Sequence, residues 1–124
     1  MSYIFYNPNP RGRFVGDCVI RAVCKVTHQG WRTVHADLAD LSDEMCNNMC
    51  ADEVWGEYLR DRGFTRHSVR NTCPYCYTIR HFCEDHPYGI HMLKTNGHVV
   101  AVVNGNYYDT FDSGNDVVMY YWSK

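Results

Sequence analysis

The chain has 124 residues, 45% of them hydrophobic and 15% aromatic, with a formal net charge of -2. That length suits one compact domain over residues 1–124 and is too short for two, and the composition argues against a disordered chain. The near-neutral charge offers no bulk attraction for nucleic acid, and no apolar run approaches the roughly 20 residues of a membrane span.

Residues 1–16 read as an irregular lead-in, because Asn7-Pro8-Asn9-Pro10 disfavours helix and strand alike. Gly16-Asp17 then opens a helix with Asp17 as N-cap. Ile20, Val23, Cys24 and Thr27 lie on one face of it, and Gly30 is suited to a left-handed C-cap. A second helix fits Trp31 to about Met45, with Trp31, Val34, Leu38, Leu41 and Met45 as its apolar stripe. A third fits Asp52 to Arg62. Trp55 and Leu59 line its inner face beside Val54 and Tyr58, and Gly63-Phe64 forms a Schellman ending. Residues 65–77 carry a short strand near His67–Val69. Thr78 caps a fourth helix that runs to Asp85 and stops before Pro87.

The last third changes period. Ile90–Lys94, His98–Val103, Asn106–Phe111 and Val117–Trp122 read as strands, and Asn96-Gly97 and Asn104-Gly105 are strong hairpin signals. Helices followed by an antiparallel meander define an α+β fold, N-terminal helices packed on a C-terminal antiparallel sheet. Between Asp37 and Asp61 there are eight acidic residues and one basic, Arg60, which reads as a solvated helical face.

The first ten residues lack the apolar stretch of a secretory signal, so a cytoplasmic protein is expected. In a reducing compartment the seven cysteines are not a disulfide framework. They are core residues, metal ligands or a nucleophile. Cys18 is placed for the last role. It sits at the first position of a helix, where unpaired N–H groups and the helix dipole favour the thiolate.

His98 opens the very apolar strand Val99–Val103, where a polar ring needs a partner. A two-residue Asn104-Gly105 turn would set His98 opposite Phe111 and Val100 opposite Asp109. Asp109 then shares a face with His98 and lies diagonal to it. A three-residue turn would put Asp112 opposite His98 instead, so Asp112 is the alternative third member.

The runs Gly16-Asp17-Cys18-Val19-Ile20-Arg21-Ala22, Gly97-His98-Val99-Val100 and Tyr108-Asp109-Thr110-Phe111-Asp112 resemble the papain-like cysteine peptidases, in particular small papain-fold proteins of bacteria and phages. The resemblance implies Cys18 as nucleophile, His98 as base and Asp109 as the group that orients it. Asp109-Thr110-Phe111 is similar to the Asn-Ser-Trp run of papain, whose aromatic ring shields the polar pair from water. Where papain carries an oxyanion-binding glutamine upstream of the cysteine, this chain has Gly12. Asn9 could take that part, or Asn7, if the lead-in folds back.

Cys73-Pro74-Tyr75-Cys76, with His81, Cys83 and His86 downstream, raises a zinc group of Cys73, Cys76, Cys83 and His86. The competing reading puts Cys83 in the core beside Ile79 and Phe82 and leaves no second ligand pair of clean spacing. No metal or other cofactor is therefore expected. The functional expectation is a cysteine peptidase or related acyl-transfer hydrolase acting on a peptide or protein. Two other uses remain open: an inactive papain-like fold serving as a protein-binding module, and a transglutaminase- or acyltransferase-type enzyme with the same triad. Nothing in the sequence sets an oligomeric state.

Overall fold

The computed structural model describes residues 2–70 and 72–124. Met1 of the lead-in and Asn71 of the 65–77 segment lie outside the described residues. Among the described residues, four helices and six strands run in the order β1 (Tyr3–Phe5), α1 (Cys18–Thr27), α2 (Trp31–Glu44), α3 (Asp52–Asp61), β2 (Thr65–Ser68), α4 (Ile79–Asp85), β3 (Ile90–Thr95), β4 (His98–Val103), β5 (Asn106–Asp109) and β6 (Tyr120–Ser123). The strands form one sheet in the order β1-β5-β4-β3-β6-β2. Among the described residues no helix is long and apolar enough to cross a membrane.

The α+β class holds, but the sheet is mixed rather than antiparallel. The lead-in supplies β1, which pairs in parallel with β5 so that Tyr3 faces Tyr107 and Phe5 faces Asp109. The prolines at 8 and 10 lie just beyond β1, so they end it rather than prevent it. Nor is the C-terminal part a simple meander. β6 leaves β5 and returns beside β3, with Met92 opposite Trp122. A run that alternates in and out can pair with any free edge, and tertiary packing chooses the edge.

The centre of the sheet is covered on both sides. Met92, Val99, Ala101 and Trp122 pack with Val19, Val23, Val34, Leu38, Trp55 and Leu59 of α1–α3. Leu93, Val100, Val102 and Tyr107 point the other way and pack with Ile79 and Phe82 of α4. The period of two along β3 and β4 sends neighbouring side chains to opposite layers. This explains why Val99–Val102 read as one unbroken apolar run: a strand buried on both faces has no polar side.

Helix ends differ from the expectation in two places. Asp17 precedes α1 but makes no capping bond, because its carboxylate is engaged elsewhere. The left-handed residue after α1 is His28, at φ 56°, and Gly30 instead precedes α2 with extended backbone. Along α2, Val34 and Leu38 are buried, whereas Met45 lies past the helix end and is exposed. The Schellman ending of α3 is present: Phe64 N–H bonds Leu59 C=O at 3.1 Å and Gly63 N–H bonds Arg60 C=O at 3.1 Å. Thr78 caps α4 through a reciprocal arrangement with His81.

Candidate active site

Two tight turns and one helix start bring three side chains to the same end of the sheet. The Asn104-Gly105 turn has both residues at positive φ, 50° and 77°, and sets Ala101 opposite Tyr108 and Val102 opposite Tyr107. One further step in this two-residue register puts Asp109 beside Val100, diagonal to His98. The Asn96-Gly97 turn, with Gly97 at φ 73°, pairs Thr95 with His98 and so starts β4 at His98. Cys18 is the first residue of α1, which packs against β4 through Val99 and Ala101.

His98 Nε2 lies 2.7 Å from Asp109 Oδ2. With that nitrogen engaged, Nδ1 is the one left to interact with Cys18, which lines the same cleft as His98. Asp109 is fully buried, so its carboxylate must find every partner inside the protein. Oδ2 also accepts from Ser113 Oγ at 2.7 Å. Oδ1 accepts from the Thr110 N–H at 2.8 Å and from Arg21 at 3.0 Å. The Phe111 ring lies over His98 with centroids 5.1 Å apart, tilted by 36°.

These contacts set the protonation states. Burial alone would raise the Cys18 thiol, but the hydrogen bond with His98, a backbone bond at Val99 and the charges of His98 and Arg21 bring it below its usual value. Burial pulls His98 down, yet its bonds to Asp109 and Cys18 outweigh that and raise it to about 9. Burial likewise opposes ionisation of Asp109, and the bonds from His98 and Ser113 hold it below the ordinary carboxylate range. Both shifts favour a thiolate beside an imidazolium.

The cleft above the sulfur has a volume of about 190 Å³ and is lined by Val19, Cys50, Asp52, Lys94 and Gly97 together with Cys18 and His98. Helix geometry leaves the first N–H groups of α1 without intrahelical partners, and these include the N–H of Cys18.

The other candidates fall elsewhere. Asp112 is exposed, accepts from Tyr107 and pairs with Arg80 at 2.8 Å, so it does not face His98. Asn9 braces the lead-in loop: its Oδ1 accepts from the Arg11 N–H at 2.9 Å and the Arg13 N–H at 3.3 Å, and it does not line the cleft. Asn7 Nδ2 donates to Arg13 C=O in the same loop. The residues raised as zinc ligands do not gather. Cys73 and Cys76 are exposed, Cys83 is buried in the α4 layer, and the His86 ring stacks on Phe82 at 3.8 Å. Among the described residues no group of three or more His, Cys, Asp or Glu converges as a metal site.

From the sequence, Arg21 carries no site role, Asp17 reads only as a helix cap, and Ser113 carries no role. A signal for the first two existed: Asp17 and Arg21 are four apart, and Arg21 interrupts an otherwise apolar helix. Cys50 also lines the cleft. No protein-family model matches the chain, and no curated protein and no solved structure matches it.

Proposed function

We propose that this chain is a papain-like thiol hydrolase that cleaves an amide or ester bond with a Cys18–His98–Asp109 triad. One observation carries the reading. A cysteine at a helix N-terminus shares a cleft with a histidine whose Nε2 is held at 2.7 Å by a fully buried carboxylate.

The chemistry follows from those contacts. The Cys18 thiolate attacks the substrate carbonyl carbon. The oxyanion forms near the N-terminus of α1, where the Cys18 N–H and the helix dipole favour negative charge. The His98 imidazolium gives its proton to the departing amine or alcohol. His98, now neutral, takes a proton from water, and the hydroxide equivalent attacks the thioester, releases the acid and restores the thiolate–imidazolium pair. Asp109 keeps the Nε2 side of the ring oriented throughout and stabilises the imidazolium. Phe111 limits the access of water to the His98–Asp109 bond. The substrate class is a peptide or protein, which can lie in an open cleft of this size. The working compartment is cytoplasmic and reducing, since a nucleophilic thiol must stay reduced.

The test is alkylation with iodoacetamide at about pH 6, where ordinary thiols are protonated. Cys18 should label ahead of the other six cysteines, located by peptide mass mapping, and Cys18→Ala should abolish turnover of a casein or peptide-library substrate. Labelling of Cys18 no faster than that of buried Cys24 removes the basis of the proposal.

A further inference from the structure

The buried charge nearest the triad that this mechanism leaves unused is Arg21. It lies on α1 one turn after Cys18, is only 5% exposed and is flanked by Ile20, Ala22 and Val23. A guanidinium in that setting needs fixed anionic partners. It has two, from separate parts of the fold: Nη1 lies 2.8 Å from Asp17 Oδ1 and Nη2 lies 3.0 Å from Asp109 Oδ1. Asp17 is held from its other side by Trp31 Nε1 at 2.8 Å. One chain of contacts therefore runs from Trp31 on α2 through Asp17, Arg21 and Asp109 to His98 and Cys18.

We propose that Arg21 is the positioning residue of the triad, keeping Asp109 ionised and aimed at His98 and thereby setting the pH range in which the thiolate–imidazolium pair exists. This rests on the triad reading above. Two buried carboxylates, Asp17 and Asp109, share one guanidinium. With the cation removed, like charges in a low-dielectric interior cannot both persist, and one takes up a proton. A protonated Asp109 no longer stabilises the imidazolium, and the thiolate loses its counter-ion in turn. The other ionisable groups facing the site do not replace the lost charge. Tyr3 of β1 donates its hydroxyl to the Asp109 main-chain oxygen, Cys24 lies further along α1, and Cys50, Asp52 and Lys94 line the cleft. Of these only Lys94 is a cation, and its Nζ is 3.2 Å from Asp52. The α1 helix thus carries both the nucleophile and, three residues on, the group that fixes the third member.

The experiment is the pH profile of Cys18 alkylation in wild type, Arg21→Gln, Arg21→Lys, Asp109→Asn and the double variant Arg21→Gln/Asp109→Asn. In Arg21→Gln the acid limb should move up, with about a tenfold loss of rate at pH 6 for each unit of upward shift. Arg21→Lys should recover part of the range, because one ammonium keeps the charge but cannot bridge both carboxylates. The double variant should be no worse than Asp109→Asn alone, since Arg21 acts through Asp109.

A wild-type profile in folded Arg21→Gln overturns the inference and leaves the triad standing. Independent, additive losses in the double variant overturn it as well. If Arg21→Gln does not fold, Arg21→Lys carries the test, and an unshifted profile there is equally fatal. If Cys18 in the wild type alkylates as an ordinary thiol, the triad reading itself falls, and that result is separate from any Arg21 effect.

Discussion

His98 and Asp109 meet at 2.7 Å across the β4–β5 hairpin because a two-residue turn at Asn104-Gly105 puts them on one face, one diagonal step apart. A turn longer by one residue would have flipped the strand faces and sent Asp109 away from the ring. The same register leaves Asp112 beyond the end of β5, where Arg80 and Tyr107 hold it in place.

Asp109 and Asp112 should therefore separate cleanly on mutation. Asp109→Asn is expected to lower turnover by about two to four orders of magnitude, the range seen when a base loses its orienting carboxylate. Asp112→Asn should change turnover less than about threefold, since the side chain is half exposed and its partners lie outside the triad. Steady-state kinetics on both variants check this. Equal losses in the two would mean that the residue holding His98 has been misassigned.

Activity should be bell-shaped in pH. The acid limb reports formation of the Cys18 thiolate, which begins below the usual thiol range. The basic limb reports loss of the His98 proton, near 9. The two values belong to the coupled pair, so they are read as limbs of kcat/KM rather than as single-residue titrations. A profile that rises to a plateau near pH 10 with no falling basic limb, as a free thiol would give, contradicts the ion pair.

Stability should respond to pH in an unusual way. His98 has a folded value of about 9 against an ordinary 6.5. Its contribution is thus complete below about 6.5 and is lost as pH rises toward 9. Cys18 runs the other way: its folded value is lowered, so its contribution is present at high pH and lost as pH falls. Where the two windows overlap, the two trends oppose one another. Urea midpoints of the wild type should fall less steeply from about pH 6.5 to 9 than those of Cys18→Ser, which should lose stability with rising pH, by at most about 1.4 kcal/mol per unit. A flat line in Cys18→Ser would show that His98 is not raised by Asp109.

Gly114 is closely confined. A Cβ there would lie 2.8 Å from Arg80 Cζ and closer still to the hydroxyl of Tyr107, which is itself buried. Gly114→Ala should cost about 1–3 kcal/mol by overpacking, read from urea denaturation. It should also slow Cys18 alkylation, because neighbouring Ser113 holds Asp109 Oδ2. Full stability in this variant would mean that the 112–116 loop adapts freely.

Leu38, fully buried between α1 and α3, gives a reference for the helical layer. Leu38→Ala should cost about 2–5 kcal/mol in the same assay, with the alkylation profile of the surviving folded protein unchanged. A shifted profile would couple the helical layer to the site.

Much of this protein is local. Helix periodicity, the Thr78 cap, the Gly63 ending and the two Asn-Gly turns depend on residues a few positions apart, so they were legible in the chain order alone. The hairpin parity that joins His98 to Asp109 belongs to the same class, because a two-residue turn leaves no freedom of register. Tertiary packing decided the rest. β1 had no periodic signature in three residues and exists because the edge of β5 was open to it. β6 skipped its sequence neighbour for β3, where Trp122 could reach Trp55 and the helical layer. Asp17 was expected to cap a helix. It turned inward instead, because Arg21, buried with Asp109, required a second carboxylate, and no local rule encodes that requirement.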